Sequence, residues 1–151
     1  MTTKSAFSPA NWQTVLEGPP MAGMIVVTAA HGGMIRETIA MAKAYTDARS
    51  QHGESQLLDE IVAGKPKVDH SRYHSPDELK EHGLAQLREA ASLVGDTATS
   101  EELADYRQFV VTLANKVAEA HREHGQQVSP AEAAAIQDIT TALGAAGSSP
   151  G

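Results

Sequence analysis

The sequence predicts an all-α protein, a compact bundle of about five to seven helices ending in an antiparallel helical hairpin. Three observations carry that expectation. Apolar residues make up 41% of the chain and aromatic residues only 4%, so Ala, Leu, Ile, Val and Met must build the core. That palette favours helix over sheet. Apolar positions also recur at spacings of three and four, and Ser/Thr/Pro starts alternate with glycine stops along the chain. At 151 residues the chain fits one domain, 1–143, followed by a Gly/Ser-rich tail, 144–151.

The C-terminal hairpin is the most fully specified part. Leu103, Tyr106, Phe109, Val110, Leu113 and Val117 form one helical stripe, with Asp105, Arg107, Asn115, Glu119 and Arg122 on the opposite positions. Thr99 and Glu102 have capping-box spacing at its start, and Gly125 is a left-handed stop at its end. Ser129-Pro130-Ala131-Glu132 then opens a second helix, with Ala133, Ile136, Ile139, Thr140 and Leu143 expected on one side.

Upstream, residues 1–7 read as a loose arm. Ser8-Pro9 starts a short helix with Trp12, Val15 and Leu16 on its apolar edge, and Gly18-Pro19-Pro20 is expected to stop it. Met21 to Ala30 is apolar throughout, so periodicity cannot separate helix from strand. The β-branched run Ile25-Val26-Val27-Thr28 argues for a strand, but no second strand pairs with it, and a lone strand leaves its amides unmet. A central buried helix is therefore expected.

Gly32-Gly33 breaks the chain before a helix from Met34 to about Ser50, with Met34, Ile35, Thr38, Met41, Ala42 and Tyr45 as its seam. A shorter helix begins at Ser55, carrying Leu57, Leu58, Ile61 and Val62. The polar connection 64–74 leads to Ser75-Pro76-Asp77-Glu78, a second Ser-Pro start. Its helix carries Leu79, Gly83, Leu84, Leu87, Ala90, Ala91 and Val94 and is expected to end at Gly95.

Charge and composition exclude several function classes. A net charge of −7 without a Lys/Arg cluster disfavours nucleic acid. The absence of cysteine removes disulfides, thiolate zinc sites and cysteine nucleophiles. The ten apolar residues of Met21 to Ala30 are too few to cross a hydrocarbon core of about 30 Å. Only Lys4 stands against Glu17 in the twenty residues before them, so neither membrane nor secretion is expected and the cytoplasm is the default. The phosphate-loop, dinucleotide, nucleophile-elbow and His-Glu-x-x-His patterns are all absent.

Seven histidines direct attention to metal or acid–base chemistry. One cluster joins Asp69, His70 and His74 to Glu78 and His82, the last two four residues apart on a helix. A second comprises Glu119, His121, Glu123 and His124. It lacks the Glu-x-x-His spacing of di-iron bundles, because Arg122 stands three residues after Glu119. Both clusters offer imidazole and carboxylate ligands suited to iron, manganese or zinc, and both also fit a plain solvated helix end or loop. His31, between the apolar run and Gly32-Gly33, is a candidate acid–base group, with Glu37 as its acidic companion.

Residues 114–143 carry a resemblance. Ala118-x-Ala120-His121-Arg-Glu-His-Gly125 followed by Val128-Ser-Pro-Ala-Glu132, between two apolar helices, is similar to the TerB-like tellurite-resistance family. The match departs at His124, where that family has an acidic residue, and at Gln126-Gln127, which lengthen the turn by one. The resemblance implies a helical bundle, a stress or metal-ion response, and metal at acidic residues near the turn.

Taken together, the residues favour a non-enzymatic helical protein acting by self-association or through a protein partner, with Met21 to Ala42 as the expected interface. A His/Glu metal-binding protein or metal-dependent enzyme is the alternative. A cofactor-free pocket at His31 and Glu37 is the third reading.

Overall fold

The computed structural model describes residues 4–30, 34–50, 56–63, 76–122 and 130–144. Within them the chain forms a short 3-10 turn at Lys4–Ala6 and six α-helices: α1 (Pro9–Ala30), α2 (Met34–Arg49), α3 (Gln56–Val62), α4 (Pro76–Thr97), α5 (Ser100–Arg122) and α6 (Pro130–Leu143). The all-α bundle expected from the sequence is the fold. No helix among the described residues is long and apolar enough to cross a membrane.

The centre of the bundle is α1, which packs on α4, α5 and α6 and touches α2. Burial runs without a gap from Gly18 to Val27. A helix with neighbours on every side has no wet face, which is why Met21 to Val27 shows no polar alternation. The helix-or-strand ambiguity of this run therefore resolves as a helix wrapped by helices.

Gly18-Pro19-Pro20 does not stop α1, contrary to expectation; both prolines lie inside a single 22-residue helix. Pro19 has no N–H to give the carbonyl of Val15 four residues back. The fully buried Tyr106 of α5 supplies the missing donor, its hydroxyl donating to Val15 O at 2.8 Å. Gly18 makes room for it: a Cβ there would collide with the Tyr106 hydroxyl oxygen. The tertiary contact thus repairs at Val15 what the local sequence breaks. A second close approach joins α1 to α4 at Gly83, where a Cβ would come within 2.8 Å of Ile25 and 2.9 Å of Met21.

Several starts and stops follow the sequence closely. Ser8 caps α1, its Oγ accepting from the Asn11 amide at 3.1 Å. Thr99 and Glu102 form the capping box of α5: the Glu102 amide donates to Thr99 Oγ1 at 3.1 Å and the Thr99 amide to Glu102 Oε1 at 3.3 Å. Two arginines serve as C-caps across the bundle. Arg49 Nε donates to Val62 O of α3 at 2.6 Å, and Arg107 Nε to Leu143 O of α6 at 2.7 Å. Gly144 follows at φ 75°, the left-handed stop of α6. Lys80 of α4 pairs with Asp138 of α6 at 2.9 Å, and Lys116 of α5 pairs with Asp47 of α2.

Other boundaries and faces differ from expectation. The arm is tethered, because Phe7 is buried and its ring lies 5.5 Å from that of Trp12. Gly95 is passed and α4 runs to Thr97, so only Ala98 and Thr99 separate it from α5. Ala44 rather than Ala42 is buried on α2, beside Tyr45, whose ring stands edge-on to Phe109 at 5.3 Å. On α6, Ala135, Ile139, Ala142 and Leu143 face inward with Glu132, while Ala133 is exposed. That helix leans on α4 and α1 as much as on α5. Gly125, Ser129 and residues 145–151 lie outside the described residues.

The two tight glycines should respond differently to alanine. Gly18→Ala has to push away a rigid, hydrogen-bonded ring and leave a buried carbonyl unmet, a loss of about 1–3 kcal/mol. Gly83→Ala meets Ile25 at Cδ1 and the unbranched Met21 at Cγ and Sδ, which must shift, and gains roughly 1 kcal/mol of helix propensity, so it loses less than Gly18→Ala. Urea denaturation of both variants measures the order, and a Gly83→Ala loss larger than that of Gly18→Ala contradicts it.

Candidate functional site

An open groove of about 760 Å³ lies between the first half of α1 and the middle of α4. Its walls follow helical spacing. Gln13, Thr14 and Glu17 stand on one face of α1, opposite Glu81, His82, Gln86 and Glu89 on α4, with Ala10 and Ala85 keeping the groove open. The walls are bridged at Glu17, whose Oε1 accepts from Gln86 Nε2 at 2.9 Å and whose Oε2 accepts from Gln13 Nε2 at 2.6 Å. Thr14 Oγ1 is turned back onto its own helix, donating to Ala10 O at 3.2 Å. Three carboxylates and one imidazole give the groove an acidic, hydrogen-bonding lining suited to cationic groups; its openness to water screens them.

The groove uses one residue singled out from the sequence, His82. Glu78 lies one turn earlier on α4 and is half-buried. Of the other proposed metal ligands, Asp69, His70, His74, Glu123 and His124 lie outside the described residues. Glu119 is exposed on α5, and for His121 only the backbone in the last turn of that helix is described. Among the described residues, no three histidine, aspartate or glutamate side chains converge as a metal ligand set. His31 lies outside the described residues, and Glu37 enters only as a backbone position in the first turn of α2.

Sequence reasoning missed the contribution of α1 to the groove. The signal was present: Gln13 and Glu17, four apart, lie away from the apolar edge of Trp12, Val15 and Leu16. With α1 expected to end at Gly18, that polar face had no assigned neighbour.

The strongest electrostatic perturbations lie elsewhere, on two buried tyrosines. Burial pushes the hydroxyls of Tyr45 and Tyr106 far above the usual tyrosine range; nearby Arg49 partly offsets this for Tyr45, and Tyr45 adds to it for Tyr106. At the surface, the hydrogen bond from Lys116 holds the Asp47 carboxyl below its ordinary value.

Stability should consequently fall in alkali. A folded-state pKa above the unfolded value of about 10 means that the tyrosine contribution is complete below that pH and is lost as pH rises. Each buried tyrosine steepens the loss by about 1.4 kcal/mol per pH unit. Urea midpoints measured on both sides of that pH, for wild type and Tyr45→Phe, test this: the variant should show the shallower decline, and equal slopes contradict it.

Comparison with protein-family models, curated proteins and solved structures returns no match for this chain.

Proposed function

We propose that this chain is a non-enzymatic cytoplasmic association protein, and that the outer side of α2 is the surface through which two copies meet. The observation that carries the reading is Ile39, a large hydrophobic residue left 61% exposed in a protein whose other described large hydrophobics are buried or half-buried. It shares its side of α2 with exposed Ala42, Lys43 and Thr46, three, four and seven residues on. The small residues permit close helix–helix approach. Lys43 adds a cation that complements the acidic surface of another copy.

The proposed surface overlaps the Met21–Ala42 stretch that the sequence suggested only at Ile39 and Ala42 and extends beyond it to Lys43 and Thr46; Met21 to Val27 are consumed inside the chain's own core. Burying an Ile side chain contributes roughly 1.5–3 kcal/mol, and a twofold interface uses it twice. Against this stands repulsion between chains of charge −7, which salt screens. The TerB-like resemblance would set such an assembly in a stress or metal-ion response.

Sedimentation across the micromolar range provides the test. Wild-type protein is expected to self-associate, more strongly at higher salt, while Ile39→Asp remains monomeric with unchanged helical content. A wild-type chain that stays strictly monomeric at every concentration and salt overturns the self-association.

A further inference from the structure

The first half of α1 is joined to the second through a weakened backbone. Pro19 and Pro20 remove two consecutive helical donors, those directed at the carbonyls of Val15 and Leu16, and Gly18 before them is the least restrained residue type. Up to this point α1 is part of the surface, with Asn11, Trp12, Thr14, Leu16 and Glu17 only half-buried and Gln13 exposed. Beyond it every residue to Val27 is buried. The helix therefore changes from a peripheral element to the core of the bundle at the place where its own hydrogen-bond ladder is interrupted.

What holds the first half down is fully buried Val15, the packing of Trp12 and Leu16 on the core, and a few side-chain hydrogen bonds. Tyr106 Oη donates to Val15 O at 2.8 Å, and Gln86 Nε2 donates to Glu17 Oε1 at 2.9 Å. Buried Phe7 and its partner Trp12 anchor the far end. The groove between α1 and α4 is walled on one side by this same segment.

We propose that Pro9–Glu17 is a flap hinged at Gly18-Pro19-Pro20 and latched by Tyr106, which swings away from α4 and α5 while Met21–Ala30 stays in the core. The open form widens the groove and bares Val15, which is fully buried when the flap is closed. Because opening also uncovers Phe7, it is a minor population in the isolated chain. Any ligand or partner that favours it must gain more from the open groove than the latch and the anchor provide.

Hydrogen exchange on the full chain reads this directly, since sub-global opening leaves amides on the two sides of a hinge with different protection. In wild-type protein the amides of Asn11–Glu17 should exchange at least roughly tenfold faster than those of Met21–Val27. Tyr106→Phe should accelerate the first set by a further factor of about ten, relative to any change in the second. The doubly substituted Pro19→Ala, Pro20→Ala chain restores both helical donors and should bring the two sets to a common rate. Equal protection on both sides of Gly18 in the wild type, or a parallel response of both sets to Tyr106→Phe, overturns the hinge.

Discussion

The two halves of α1 are bridged by a hydrogen bond from a side chain to a carbonyl: Tyr106 of α5 donates to Val15 of α1. A helix containing two adjacent prolines should break, because each proline withholds an amide and crowds the carbonyl four residues back, at a cost of about 3 kcal/mol or more. Here the break is avoided at Val15 by a phenol hydroxyl that enters through the space left by Gly18. The contact works in both directions. Without it a buried carbonyl would lack a donor, and a fully buried Tyr hydroxyl would lack an acceptor, each an expensive omission in a core.

Beyond that contact the bundle is held by apolar packing. A continuous α1 carries its apolar second half through the middle of the bundle, where α4 approaches closely over Gly83 and α5 and α6 complete the wrapping. The more peripheral elements are fixed by fewer and more polar links. Arg49 and Arg107 close the ends of α3 and α6, Lys116 ties Asp47 of α2 to α5, and Lys80 ties α4 to Asp138 of α6. The distribution is uneven in a way that bears on function. Apart from Glu132 and Glu102 the core is built of hydrophobic residues and closed, whereas the first half of α1 and the outer side of α2 remain accessible, one beside an acidic groove and the other bearing Ile39.

Local chemistry made much of this legible in the sequence. The Thr99–Glu102 capping box, the Ser8-Pro9 start and the Tyr106–Val117 stripe are short-range patterns, and each is found where the residues place it. What could not be read there depends on partners distant in the chain. Pro19-Pro20 is a stop by every local rule, and only Tyr106, 91 residues from Val15, makes it a passage. Gly95 is likewise a local stop that α4 passes, running on through exposed Asp96 and Thr97 until the Ala98 amide donates to the Val94 carbonyl at 2.7 Å. Ala42 and Ala133 match the apolar spacing yet are exposed, because alanine fits either side of a helix and carries little directional information. The groove stayed hidden for the same reason as the continuous helix: once α1 was cut at Gly18, Gln13 and Glu17 had nothing to face.

Tyr106 stands in for the amide that Pro19 lacks, and a double-mutant cycle in urea tests that substitution most directly. Pro19→Ala returns an N–H to the Val15 carbonyl, so Tyr106→Phe in that background should cost less than it does in the wild type, by about 1 kcal/mol or more. A Tyr106→Phe loss of the same size in both backgrounds would contradict the account.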